Sequence, residues 1–252
     1  METHFNYASF PNKLNLGCGY DKLEGYLNVD LNSFHQPDLV ADVSDLKELP
    51  SSYYSEIIAQ DILEHIERTK TKNVLFEWNR LLIPNGILKL RIPNLIGLFS
   101  LFEKKENQTI EKQEQLIQCC FGTQAYGGDF HYTSFTELLI KNYLFIAGFE
   151  ITSLTVRDEW LFEIIARKTT LTHSIMNRDN EEISKFLYEA YSKILHRPPD
   201  IDGYNYYYNQ IYDGKIKKED VIFMLTNSDE KKRIDETLIQ KVHKLKIFRF
   251  LE

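Results

Sequence analysis

Short apolar runs alternate with longer helical patterns over the first two thirds of the chain. Lys13–Leu16, Tyr26–Asp30, Asp38–Asp42 and Ser55–Gln60 read as strands, and Gly86–Ile92, Ile151–Val156 and Leu161–Ala166 complete a predicted set of seven. Between the fourth and fifth, Lys72–Ile83 places Val74, Leu75, Trp78, Leu81 and Leu82 at helical spacing, and Pro84-Asn85-Gly86 stops that helix. A second helix is predicted from Ser134 to Ala147, with Leu138, Leu139, Tyr143, Leu144 and Ile146 on its apolar face and Gly148 at its end. Strands alternating with helices predict a parallel α/β sheet with helices on both faces. The last two predicted strands are joined by only about four residues. That is too short for a parallel crossover, so the seventh strand is expected to run antiparallel.

Thr169–Asn180 lacks periodicity and reads as a linker. Beyond it the pattern is helical, broken at Pro198, Pro199 and Gly203 and again at Asp213-Gly214. The expected organisation is an α/β domain over residues 1–169, a linker over 170–180 and a small all-α domain over 181–252. Charge separates the two parts further. Residues 1–169 carry 16 basic and 23 acidic side chains, a net of −7, whereas residues 170–252 carry 14 of each. An acidic domain repels a polyphosphate backbone, which argues against a nucleic-acid substrate.

Composition excludes other classes. With 43% hydrophobic and 13% aromatic residues the chain has the means to build a core. No window approaches the roughly 20 apolar residues of a membrane span. The start, Met-Glu-Thr-His-Phe-Asn, lacks the basic patch and apolar core of a signal peptide. Cys18, Cys119 and Cys120 cannot form a disulfide framework, and no Cys/His spacing matches a zinc site. The expectation is a reduced, cytoplasmic protein without a metal, whose cysteines are packing residues.

The chemistry-bearing residues follow the predicted strands. Leu14-Asn-Leu-Gly-Cys-Gly-Tyr20 is a strand running into two glycines, which let the backbone turn and approach a ligand. Asp30 ends the second strand, where an acid can hold ribose hydroxyls; Asp42 ends the third, and Asp61 and Glu64 follow the fourth. A dinucleotide fingerprint fails because Lys22 stands where its third glycine belongs, and no P-loop exists. A nucleoside without phosphates suits these acids better than an anionic nucleotide.

Leu16-Gly-Cys-Gly-Tyr-Asp21, Gly25–Asp30, Ala41–Leu46, Gln60–Ile66, Glu77–Gly86 and Ile92-Pro-Asn94, in that order, resemble the class I S-adenosylmethionine-dependent methyltransferases, over roughly residues 11–168. They are most similar to the branch found in bacterial surface-polysaccharide and small-molecule biosynthesis. The resemblance implies a Rossmann-like seven-stranded sheet whose last strand is antiparallel. It implies S-adenosylmethionine as cofactor and S-adenosylhomocysteine as product. Gly17 and Gly19 would line the methionine end, Asp30 would hold the ribose, and Asp42 with Val43 would frame the adenine. Gln60 would lie beside the sulfonium, with Asn15, Cys18, Leu31 and Asp61 as further cofactor-binding residues. One departure from the family is Asn85-Gly86, where two glycines are usual.

Methyl transfer to a hydroxyl requires alignment and removal of a proton, and histidine is the natural base near neutral pH. His65 follows the fourth strand. His131 lies in Phe121–Phe135, a segment rich in glycine and aromatic residues that precedes the second predicted helix. Segments in that position commonly form the acceptor lid in this family, so His131 is the favoured base, with Tyr126, Asp129 and Tyr132 as substrate contacts. A metal-dependent enzyme would need clustered carboxylates, for which Asp61, Glu64 and Asp129 are the candidates.

Phe186–Gly203, Tyr206–Tyr208, Gly214 and Thr226–Glu230 resemble a small helical domain of unknown function, over about residues 181–233, that is often appended to bacterial glycan-modifying proteins. Tyr206 and Tyr207 are expected to pack its helix while Tyr204 and Tyr208 face solvent. Asp200, Asp202 and Gly203 are too few for a calcium loop. A last helix, 231–250, would place Leu238, Val242, Leu245 and Phe248 on one face. The leading reading is methylation of a sugar hydroxyl, on a nucleotide-activated sugar or a capsule or lipopolysaccharide precursor such as a heptose. The rivals are N-methylation of a small amine and a non-catalytic module docked to a glycan-assembly partner through the C-terminal helices.

Overall fold

A computed structural model describes residues 10–169, 181–197 and 199–236. They form two compact units that divide between residues 169 and 181. The linker 170–180 and the apolar positions of the last predicted helix, Leu238 onward, lie outside the described residues.

The first unit is built on a seven-stranded sheet with strands β1 (Lys13–Leu16), β2 (Leu27–Asp30), β3 (Leu39–Val40), β4 (Tyr54–Gln60), β5 (Leu82–Pro93), β6 (Phe149–Arg157) and β7 (Leu161–Lys168). Their order is β3-β2-β1-β4-β5-β7-β6. β1 to β5 pair in parallel, and β7 pairs antiparallel with both β5 and β6. This is the sheet the resemblance implies, and the short connection between the last two strands has the consequence expected of it. Leu14, Leu16, Leu27, Val29, Ile57 and Leu88 are buried along the central strands, the near-continuous apolar signature of a sheet covered on both faces.

Helix α1 (Thr71–Leu81) carries the crossover from β4 to β5, with Val74, Leu75, Trp78 and Leu81 buried as their spacing predicts. The Trp78 indole donates to the Val43 carbonyl at 3.0 Å, tying the helix to the segment after β3. α1 ends two residues before Ile83, and the predicted turn survives inside β5 as a left-handed Asn85 (φ 63°). Between β5 and the next helix the structure adds α2 (Leu95–Phe102) and α3 (Ile110–Phe121), which the strand–helix alternation does not call for. The sequence of α2 is apolar nearly all round, and α3 buries only Leu116, so neither shows a clear stripe. α4 spans Glu137–Ile146, capped by Thr136. Its buried face is Ile140, Leu144 and Phe145, rotated from the predicted one, and Leu138 is exposed.

The second unit contains α5 (Glu181–Leu195), α6 (Ile201–Tyr212) and α7 (Lys218–Thr226), followed by helical residues 229–236. Here one expectation is reversed. Tyr204 and Tyr208 are buried, whereas Tyr206 is 57% exposed and Tyr207 half-buried. Residues four apart share one helix face, and Tyr204 and Tyr208 stack there at 5.7 Å. Asp200 caps α6 by accepting from the Gly203 amide at 2.8 Å, and it also pairs with Arg197. Among the described residues no helix is long and apolar enough to cross a membrane.

Candidate functional site

β1, β2 and β4 run in parallel, so their carboxyl ends meet at one edge of the sheet, where ligands bind in this class of fold. A cavity of about 700 Å³ opens there. Asn15, Gly17, Cys18 and Gly19 line it from β1 and the turn after it, and Asp30 and Leu31 from β2. Asp42 and Val43 reach it from beyond β3, and Gln60, Asp61 and His65 from beyond β4. Tyr126, Asp129 and Tyr132 close it from the segment before α4. The structure therefore brings the sequence-predicted residues to one place, with the exceptions of His131 and Glu64.

The glycine turn is dictated locally. Gly17 has φ +65°, and a Cβ there would lie 2.6 Å from the Ile62 side chain, so only glycine fits without strain. Asp30 organises the turn by accepting from the Gly19 amide at 2.8 Å through Oδ2 and from the Asn32 amide at 2.8 Å through Oδ1. A carboxylate offers about four lone-pair sites, so capacity for ligand hydroxyls remains. Behind the turn, Asn15 donates to Asn28 Oδ1 at 2.9 Å, and Asn28 donates to Asp38 Oδ2 at 2.7 Å. These bonds satisfy buried polar groups that a ligand pocket would otherwise leave open.

Three contributors carry no signal in the sequence. His35 places Nδ1 3.0 Å from Asp30 Oδ1, off the line a hydrogen bond requires, and packs edge-on between Phe34 and Tyr20. Arg91, from the end of β5, clasps Asp61 with both its Nε and a terminal nitrogen. Asn28 holds the turn. Only the fold shows the proximity of these three. Asp61 is thus engaged by a guanidinium rather than free for a cofactor. Glu64, a carboxylate candidate from the sequence, turns inward.

Cys18 is buried, and its thiol is pushed up to about 11 by burial and then by the nearby Asp30 and Asp38 carboxylates. That makes it inert filler, as the sequence suggests.

The segment before α4 is pinned rather than loose. Gly122 (φ +79°) packs so closely on the Asp129 carbonyl that a Cβ would come within 2.3 Å. The Tyr132 amide donates to the Glu64 carbonyl at 2.8 Å. Tyr126 reaches the aromatic rim, 5.8 Å from Phe34. His131 lines a second cavity of about 700 Å³, walled largely by Leu95, Phe99, Phe102, Ile117 and Phe121 of α2 and α3. Tyr132 borders both cavities.

The two candidate bases nevertheless meet. The rings of His65 and His131 stand edge to face at 4.7 Å. His65 Nδ1 bonds the Phe130 carbonyl and His131 Nδ1 bonds the Cys119 carbonyl, each at 3.1 Å. A carbonyl only accepts, so both Nδ1 atoms carry the proton, and in the neutral ring Nε2 holds the lone pair; the Gly128 carbonyl also lies against the His65 ring. Burial holds both rings below the ordinary histidine range; Asp129 opposes it at His65, and at His131 the neighbouring His65 adds to it. Glu64 is 1% exposed, and burial pushes its carboxyl up to about 8. Asp61 and Asp129 do not join it in a carboxylate cluster; Glu64 gathers instead with His65 and His131.

Comparisons with known proteins bear on each unit separately. Residues 171–234 match the family model of a domain of unknown function, DUF4214. No curated protein matches the chain. Among solved structures, the chain is similar to an S-adenosylmethionine-dependent methyltransferase from Methanosarcina mazei, at 20% identity and a TM-score of 0.47, covering 62% of this chain and 92% of that one. It is similar to the 1,6-didemethyltoxoflavin-N1-methyltransferase of Burkholderia thailandensis, bound to S-adenosylhomocysteine, at 15% identity and a TM-score of 0.42, covering 62% and 70%. A third is an S-adenosylmethionine-dependent methyltransferase from Archaeoglobus fulgidus, at 16% identity and a TM-score of 0.43, covering 64% and 88%. At these identities the likeness is one of fold.

Proposed function

We propose that the chain is an S-adenosylmethionine-dependent methyltransferase acting on a hydroxyl of a sugar-containing acceptor. The observation that carries this reading is the convergence of the Gly17–Gly19 turn, Asp30, Asp42 and Gln60 on one cavity at the carboxyl edge of a parallel sheet. The site fits the cofactor: the turn admits no side chain at Gly17, and Asp30 is buried and fixed by two backbone amides. Asp30 would hold the ribose, Asp42 and Val43 the adenine, and Gly17 to Gly19 the methionine end.

When bound, S-adenosylmethionine supplies an electrophilic methyl carbon, and the C–S electron pair stays on sulfur as S-adenosylhomocysteine. The chain's own residues do the rest. Arg91 keeps Asp61 in place beside the cofactor cavity. Nε2 of His65 or His131, unprotonated at neutral pH, is available to take the acceptor's proton or hold its oxygen. The acceptor would enter through the second cavity, which meets the first at Tyr132. The apolar walls of that cavity favour a sugar carried on an apolar group over a bare nucleotide sugar. Transfer of a labelled methyl group to a panel of lipid-linked and nucleotide-linked sugars tests this. O-methyl products on the lipid-linked members are expected; N-methyl products, or none with either class, would contradict the reading.

A further inference from the structure

We propose that Glu64, His65 and His131 form a binding site for a divalent first-row transition-metal ion, set between the two cavities. One ligand atom from each of the three lies within 4.8 Å of the other two. Two imidazoles and one carboxylate are a ligand set suited to ions such as Zn²⁺, Co²⁺ or Fe²⁺, and they leave coordination positions open.

Three observations point to a ligand rather than to packing. First, Glu64 Oε2 is fully buried and has no hydrogen-bond partner. A carboxyl oxygen is not left so without cost unless it is protonated or meets a cation. Second, both histidines direct Nδ1–H into a backbone carbonyl, Phe130 and Cys119, at 3.1 Å. That is the outer bond that fixes tautomer and ring angle in metal-ligating histidines, and it leaves Nε2 as the donor atom. Third, the lid backbone is bonded directly to the ligand segment, through the Tyr132 and Thr133 amides on the Glu64 carbonyl. This holds His131 in register with Glu64 and His65 despite their separation in sequence. Ligands around an ion with bonds of about 2.1 Å stand roughly 3 to 3.5 Å apart. From a separation within 4.8 Å the trio would have to close by up to roughly 1.3 to 1.8 Å around an ion.

The ion's use rests on the methyltransferase reading, although its binding does not. His65 faces the cofactor cavity and His131 the apolar one, so an acceptor hydroxyl can reach an open coordination position. Metal binding acidifies that hydroxyl, whose proton passes to solvent. The oxygen lone pair then forms the O–C bond while the C–S pair stays on sulfur. The imidazoles are then ligands, and the base assigned to them is replaced by the metal.

The test uses the full chain, free of any polyhistidine tag. Co²⁺ titration followed by visible absorption should give one equivalent of a ligand-field band that Zn²⁺ displaces. Glu64→Gln and His131→Ala should each weaken Co²⁺ binding at least tenfold. Glu64→Gln takes away the carboxylate that an ion would bind while keeping the side chain's shape, and retained S-adenosylhomocysteine binding in that variant shows that the fold is intact. No Co²⁺ band in wild type, or equal affinity in wild type and both variants, overturns the site. S-adenosylhomocysteine binding is measured on the same protein without metal. Binding there with no Co²⁺ band sinks the metal alone, and a Co²⁺ band without it sinks the methyltransferase reading alone. Methyl transfer unchanged after chelation would contradict the ion's catalytic use.

Discussion

In the sheet-bearing unit Asp30 and Gln60 end strands, Asp42 follows one, and all three face a cavity, whereas in the helical unit Arg197 pairs with Asp200 and Glu230, and Asp200 caps the start of a helix. Aromatic side chains are about equally dense in the two parts of the chain, and charged ones are denser in the helical part, 28 over residues 170–252 against 39 over residues 1–169. The difference lies in where their bonding capacity goes. Tyr204 is buried with its hydroxyl 2.7 Å from that of Ser184, and Arg197 stacks on Tyr191 at 5.3 Å. Those polar groups complete a core. At the sheet edge the bonds among Asn15, Asn28 and Asp38, and those of Asp30 to the Gly19 and Asn32 amides, shape a turn and leave a concavity beside it. A cluster of polar residues thus points to chemistry only where a cavity and incomplete bonding accompany it.

The contrast predicts which changes damage which unit. Trp78→Ala should have the largest effect. It empties a fully buried site and strands the Val43 carbonyl, for a loss of about 4 kcal/mol. Urea unfolding followed by circular dichroism should show the sheet unit melting early while the helical transition stays in place; a single shifted transition would join the units energetically. Gly17→Val comes next. A side chain at φ +65° meets Ile62, so S-adenosylhomocysteine affinity in equilibrium dialysis should fall about 100-fold, which is about 2.7 kcal/mol. Tyr204→Phe should cost about 1 kcal/mol in the helical unit through its lost bond and leave cofactor affinity unchanged. Weakened cofactor binding there would break the comparison.

The smallest effect concerns Cys18. Burial and the carboxylates of Asp30 and Asp38 disfavour the charged thiolate, which raises the thiol to about 11. The thiolate fraction at pH 8 is then about one in a thousand, against roughly a quarter for an ordinary cysteine. Iodoacetamide labelling of the Cys18 peptide, read by mass spectrometry, should be on the order of 100-fold slower than for free cysteine at pH 8. It should rise about tenfold per pH unit until pH 11, because the reactive form is the deprotonated one. Fast labelling at pH 8 would mean an open, electropositive turn.

Much of the sheet is legible in the sequence because strand runs, the helix at Val74–Leu81 and the glycine turn are local patterns. The residues at strand ends follow from topology once the strands are parallel. What sequence hides is of two kinds. Helices α2 and α3 show no clear amphipathic stripe, so period carries no signal, yet they wall the second cavity. His35 and Arg91 act through contacts set by tertiary folding; Glu64 is visible in the sequence as a carboxylate candidate, but a buried glutamate next to a histidine looks the same there as an exposed one. The tyrosines of α6 show the opposite failing. Tyr206 and Tyr207 stand next to each other in sequence, whereas the helix buries Tyr204 and Tyr208, one turn apart.

The central claim is that the sheet-edge cavity binds S-adenosylmethionine through Asp30. Calorimetric titration of the full chain with S-adenosylhomocysteine tests it most directly, with wild type and Asp30→Ala side by side. The account predicts one site per chain in wild type and a loss of at least about 100-fold in the variant, which forfeits the ribose contacts and the bonds to the Gly19 and Asn32 amides. No heat with wild type, or equal affinity in the two proteins, would contradict it.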